Sequence, residues 1–216
     1  MLSLLRSFFG CLASALRYLH GTHIRHRDIK PQNIIIRDDR VYLADFGIAY
    51  SWENLTRATT TSDSGKTLIY AAPEVVRVEP RNESADIWSL GCVFMEMATV
   101  LKGQTVKNKR NVFREKTDNH YFHANSEAME IWVRHLENLG SGTPGKGERD
   151  YLPLGWASSM LNPSPGARPT EAELFTDIVD ECNGTGVLFC GNCCHDYCEV
   201  ASGGEDWSDD EDDALV

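Results

Sequence analysis

The sequence predicts a mainly α-helical domain carrying one small β-hairpin, and three observations lead there. Leu5, Phe8, Phe9, Leu12, Leu16 and Leu19 recur at helical spacing and lay one apolar stripe along residues 1–20. Ala85, Ile87, Trp88, Leu90, Val93, Phe94, Met95 and Met97 are apolar almost all round, as in a helix at the centre of a domain. Between these, two strand-like runs, Ile34-Ile35-Ile36 and Val41-Tyr42-Leu43, flank an Asp38-Asp39 turn.

The elements follow in chain order. The first helix covers residues 1–20 and stops at Gly21. Met1-Leu2-Ser3-Leu4-Leu5 has the look of a signal peptide, but no basic region precedes it and Arg6 and Arg17 interrupt the apolar run. An amphipathic core helix is the better reading. Residues 22–47 hold a loop and the hairpin, and residues 48–74, polar and rich in hydroxyls, read as a long loop. Ser84 reads as the N-cap of the central helix. Residues 102–150 are the least legible, and their basic cluster Lys107 to Arg110 reads as a solvated face. A helix is expected from Ser126 to Leu139, with Met129, Ile131, Trp132, Val133 and Leu136 turned inward. Residues 140–147 then form a flexible connection, and short helices around Trp156–Leu161 and Glu171–Glu181 close the domain.

Composition sets the class. The 216 residues, 42% hydrophobic and 25% charged, suffice for one domain with a sizeable core. The net charge of −11 is uneven. Residues 199–216 hold eight acidic side chains and no basic ones, leaving 24 acidic against 21 basic, or −3, in residues 1–198. Nothing there suggests a nucleic-acid surface. No window reads as apolar enough to span a membrane. The expected organisation is a domain over residues 1–182, a Cys-rich segment over 183–200 and an acidic, disordered tail over 201–216.

The chemistry is concentrated in His26-Arg27-Asp28-Ile29-Lys30-Pro31-Gln32-Asn33 and Asp45-Phe46-Gly47. A hairpin brings its open ends together, so Asn33 before the first strand and Asp45 after the second should meet. An amide oxygen and a carboxylate there suit a hard cation such as Mg²⁺. Asp28, one loop away, is placed to take a proton from a hydroxyl, with Lys30 near enough to steady a transferring phosphate.

With these motifs the chain resembles a eukaryotic-type Ser/Thr protein kinase. Ala72-Pro73-Glu74, Asp86-Ile87-Trp88-Ser89-Leu90-Gly91 and Ala167-Arg168-Pro169-Thr170 match further motifs of that family, in the family's order. The resemblance implies the C-terminal lobe of the kinase fold, without the N-terminal β lobe. It makes residues 26–33 the catalytic loop and 45–74 the activation segment. It further implies ATP and Mg²⁺, with Asp28 as base, Lys30 on the nucleotide phosphate, and Asn33 and Asp45 on the metal. Lys30, two residues past the aspartate, follows the Ser/Thr rather than the Tyr pattern. By the same resemblance Thr67 contacts Asp28 and Lys30 in the substrate-docking loop, although Lys66 stands where a glycine is usual. Arg27 is the type that pairs with a phosphorylated activation segment, for which Thr59, Thr60, Thr61, Ser62 and Ser64 are candidates. Glu74 with Arg168, and Asp86, are expected to be structural.

Two readings of function follow. One is a protein kinase that transfers the ATP γ-phosphoryl group to a protein Ser or Thr hydroxyl. The other is a catalytically inactive kinase-like binding module. The 25 residues before His26 contain no glycine-rich loop and no lysine, and they are too few for the family's N-terminal lobe. A second polypeptide that supplies that lobe, or a kinase partner, is then implied. ATP chemistry points to an intracellular protein, cytoplasmic or nuclear. Cys182, Cys190, Cys193, Cys194 and Cys198 cluster with His195. They admit Zn²⁺ binding, acylation at Cys193 or Cys194 with membrane tethering, or no specific role. Trp207-Ser208-Asp209-Asp210-Glu211 would suit an acid-directed kinase as substrate; an unmodified solubilising tail is the alternative.

Overall fold

Helices dominate the structure, a computed structural model that describes residues 2–51, 68–139, 150–191 and 194. The first helix, α1 (Leu2–Gly21), buries Phe8, Phe9, Leu12, Ala13 and Leu16 along the stripe its sequence predicts. Strand β1 (Ile24–Arg25) leads into the loop that carries Asp28, and a 3₁₀ turn over Pro31–Asn33 closes that loop. Strands β2 (Ile34–Arg37) and β3 (Arg40–Leu43) then pair antiparallel, with Ile35 opposite Tyr42 and Arg37 opposite Arg40. Asp38 and Asp39 join them with φ of 49° and 57°. Positive φ at both central residues is what a two-residue turn needs to match strand twist. Strand β4 (Tyr50–Ser51) returns to pair with β1.

After the short helix α2 (Pro73–Val76) comes α3 (Ser84–Leu101), the centre of the domain. Its buried residues run from Asp86 to Leu101 and face every direction. By length and composition this helix is apolar enough to cross a membrane, contrary to the sequence expectation, but 72% of it is buried in the domain's own core. The same composition serves a central core helix. Ser84 is not its N-cap but its first residue. Glu83 holds the cap position without a side-chain bond, and Asn82 Oδ1 accepts from the Ser84 amide at 3.1 Å and the Ser84 hydroxyl at 2.6 Å just ahead of it.

The illegible region resolves into α4 (Val106–Thr117) and α5 (Ser126–Asn138). Thr105 caps α4 by accepting from the Asn108 amide. Met129, Trp132 and Leu136 point inward from α5 as expected, but Ile131 is exposed. The Trp132 indole donates to Thr99 Oγ1 of α3 at 2.9 Å, which fixes the inward face one residue away from Ile131. The basic cluster is not wholly solvated either, since Lys109 is buried.

Helices α6 (Leu152–Met160) and α7 (Glu171–Thr185) close the fold. Thr170 and Glu173 form a capping box at the start of α7, and Gly186 ends it at φ 69°. Helix α6 packs on α3 closely enough that a Cβ on Gly91 would lie 2.7 Å from the Met160 Cβ. The division expected at residue 182 falls inside α7. Beyond it Phe189 is fully buried, edge-on to Trp156 at 5.1 Å and to Phe9 at 6.3 Å. The Gly10 amide of α1 donates to the Phe189 carbonyl at 2.8 Å. Phe189 and Cys190 are therefore part of the core, while Leu188 between Val187 and Phe189 is exposed. The expected connection at 140–147 and the acidic tail at 201–216 lie outside the described residues.

Candidate active site

The loop that carries Asp28 is held from beneath by a carboxylate. Asp86, in the first turn of α3, accepts from the His26 amide through Oδ2 and the Arg27 amide through Oδ1, both at 2.8 Å. Arg27 sits at φ 70°, a strained conformation for a long side chain. Two backbone bonds to one buried carboxylate are what hold it there. Asp86 is itself held by His20 of α1, whose Nε2 lies 3.2 Å from Oδ2, while its Nδ1 lies 3.2 Å from Glu171 of α7. Burial alone would lower the His20 pKa, but the hydrogen bonds to Asp86 and Glu171 outweigh it and raise the value to about 9. Burial pushes against the Asp86 carboxylate's charge, and the His20 contact still leaves its pKa below the ordinary value. His20 and Glu171 were not visible to motif reasoning. A histidine closing an apolar helix gives no sign of the carboxylates it will meet.

Above this support the expected residues converge. Lys30 Nζ lies 2.6 Å from Asp28 Oδ2. Asn33 Nδ2 donates to the same oxygen at 2.9 Å and to the Asp28 carbonyl at 2.9 Å. That leaves the Asn33 amide oxygen as the atom suited to a cation. The His26 ring bridges the two motifs, with Nε2 2.9 Å from the Ala44 carbonyl and Nδ1 3.4 Å from the Asp28 amide. The Ala44 amide donates to the Asn33 carbonyl at 2.9 Å, so the residues bracketing the hairpin are tied together. Asp45 follows at φ 63°, exposed, its Oδ1 accepting from the Gly47 amide at 3.3 Å.

The donor set fits Mg²⁺ in part. Among the described residues no three His, Cys, Asp or Glu side chains are placed to hold a metal between them. One amide and one carboxylate would offer two ligands, a number that suits a magnesium ion that keeps water and takes phosphate oxygens. Zinc, one of three possibilities the cysteine cluster admits, gains no such support. Cys182, Cys190 and Cys194 are buried, and Cys193, His195 and Cys198 lie outside the described residues.

The scaffold pair is fully formed. Arg168 grips Glu74 with two bonds of 2.7 and 2.8 Å. It also donates to the carbonyls of Asn162, Ser84 and Pro163, and lies 5.0 Å above the Trp88 ring. Such coverage makes burial of a guanidinium tolerable. Arg27 lines a cavity of about 30 Å³ with Arg25 and Arg81, and its guanidinium lies 5.7 Å from the Tyr50 ring. Thr67 and the candidate phosphosites Thr59, Thr60, Thr61, Ser62 and Ser64 lie outside the described residues.

The sequence profile of the protein kinase domain matches residues 3–179. The chain belongs to the protein kinase family. It is 42% identical to human serine/threonine-protein kinase Nek10 over 91 residues, 41% of this chain and 8% of that protein. The Aurora kinase of Dictyostelium discoideum is 34% identical over 120 residues, 55% of this chain and 30% of the relative. The Drosophila melanogaster serine/threonine-protein kinase fused is 44% identical over 93 residues, 42% of this chain and 11% of the relative. The matched stretch thus spans less than a third of each of these kinases. Within the kinase fold, the elements found here are those of the C-terminal lobe.

Proposed function

We propose that the polypeptide carrying this domain transfers the γ-phosphoryl group of ATP to a Ser or Thr hydroxyl of a protein. The observation that carries the reading is the convergence of Lys30 and Asn33 on the one carboxylate of Asp28. Asp28 orients the attacking hydroxyl and accepts its proton. Lys30, an ammonium 2.6 Å from that carboxylate, faces the charge that develops on the migrating phosphoryl group. Asn33 and Asp45 would hold Mg²⁺, which when bound neutralises the nucleotide phosphates. Such chemistry belongs inside the cell, in the cytoplasm or nucleus.

Arg27 supports a layer of regulation. A phosphate on Thr59, Thr60, Thr61, Ser62 or Ser64 would give its guanidinium a charge-assisted partner. Activity that survives alanine at all five positions would end this part of the reading.

A second reading is favoured by the hairpin. Ile35 and Tyr42, opposite one another on one face of the hairpin, are 51% and 46% exposed, an apolar surface beside the active site. A kinase N-terminal lobe would cover it. In a polypeptide without that lobe the same surface makes the domain a non-catalytic binding module.

Intact-mass analysis of the endogenous protein, followed by transfer of labelled phosphate from Mg·ATP to casein, separates the two. The kinase reading expects residues N-terminal to this domain, bearing a glycine-rich loop and a lysine, with label on serine or threonine. No transfer, or label on tyrosine alone, would refute it.

A further inference from the structure

Beneath the segment 68–72 lies a charged network that the phosphoryl-transfer chemistry does not use. At its centre Lys109 of α4, 1% exposed, donates from Nζ to Glu96 Oε1 of α3 at 2.8 Å. Its ammonium also lies 3.8 Å from the centroid of the Phe122 ring. The other oxygen of Glu96 accepts from the Tyr70 hydroxyl at 3.2 Å. Tyr70 is pinned at its backbone as well, its carbonyl accepting from Ser89 Oγ at 2.9 Å. The Phe122 amide donates to the Ile69 carbonyl at 3.3 Å. A buried ammonium is strongly unfavourable unless it is paired, and a buried carboxylate equally so. Here each oxygen of Glu96 has a partner, and one partner belongs to the segment that leads into Pro73-Glu74.

We propose that Lys109 is a positioning residue for the protein substrate: it fixes Glu96, Glu96 holds Tyr70, and Tyr70 sets the segment 68–72 that receives the chain bearing the target hydroxyl. This rests on the kinase reading. Lys109 acts on substrate docking and not on phosphoryl transfer, because Asp28, Lys30 and Asn33 have separate support from Asp86 and His26. Burial makes the pair suited to the task. It is shielded from salt, and neither side chain can rotate away without stranding a charge.

Removing Lys109 alone would leave Glu96 with only the distant, part-exposed Arg110 at 3.8 Å, so the working variant is Lys109→Met combined with Glu96→Gln, which leaves no lone charge in the core, since Arg110 is 40% exposed. Tyr70→Phe cuts the same link at its other end. In the full polypeptide, each variant should speed amide exchange at residues 69–72 by about tenfold, with exchange in the hairpin 34–43 unchanged. Each should raise KM for casein by about tenfold while kcat and KM for ATP hold. All three substitutions together should do no more than the stronger of the two variants, since they break one chain of contacts. Unchanged exchange at 69–72 would overturn the proposal, as would equal acceleration in the hairpin or effects that multiply. If the unsubstituted protein transfers no phosphate, the kinase reading falls and the substrate role with it, while the exchange measurement still decides whether Lys109 sets the segment 68–72.

Discussion

The Glu74–Arg168 and Asp28–Lys30 pairs have nearly the same contact distance, 2.7 against 2.6 Å, in very different surroundings. The side chains of Arg168 and Glu74 are 0% and 2% exposed, whereas those of Lys30 and Asp28 keep 19% and 13%. The sealed pair has its remaining donors taken by carbonyls of neighbouring segments, so it ties α2 to the start of α3 and the turn before α7. The open pair leaves charge within reach of a substrate. One chain therefore seals a guanidinium–carboxylate pair as a rivet in one place and leaves an ammonium–carboxylate pair open, for the proposed chemistry, in another. Exposure separates the two.

The largest stability effect should come from breaking the rivet. Arg168→Met strands a buried carboxylate and should cost about 3–5 kcal/mol in urea unfolding. A loss as small as that from an exposed pair would erase the distinction. The second buried cluster responds to pH. The His20 pKa is raised from 6.5 to about 9 on folding, so the stability it adds is fully present below pH 6.5 and lost as pH rises toward 9. That loss should be about 3 kcal/mol, and absent in His20→Gln. On the acid side, Asp86 and Glu171 titrate below their ordinary values. Their contribution is present above the ordinary carboxylate range and lost as pH falls through the lowered values. Thermal unfolding at several pH values measures both limbs.

Packing gives a smaller test. Gly91→Ala would drive a methyl group against Met160 and should cost about 1–3 kcal/mol, read as a lower Tm. Lys30→Met, at the open pair, should change stability by no more than about 1 kcal/mol. It should nonetheless depress phosphoryl transfer. Lys116→Ala, which breaks an exposed contact with Glu127, should leave the unfolding midpoint where it is.

The site was more legible in the sequence than its foundations. Asp28, Lys30 and Asn33 lie within six residues, and the hairpin that brings Asp45 near is set by a local turn, so short-range chemistry sufficed. The Glu74–Arg168 pair spans 94 residues and was readable only through the order of motifs. Lys109 was misread because a basic run on a helix looks solvated until its tertiary partners are known, and Glu96 gave no sign that it pointed at α4. His20 escaped for the same reason. Residues 187–191 were assigned to the Cys-rich segment outside the domain because of the cysteines that follow them, but one phenylalanine among aromatic rings was enough to draw Phe189 and Cys190 into the core.

Transfer of γ-labelled phosphate to casein by the full polypeptide, beside its Asp28→Asn variant, tests the central claim most directly. The carboxamide keeps the shape and one acceptor oxygen but cannot take the proton. Transfer should fall by at least about a hundredfold while the urea midpoint stays within error. Equal transfer by the two proteins would contradict the account.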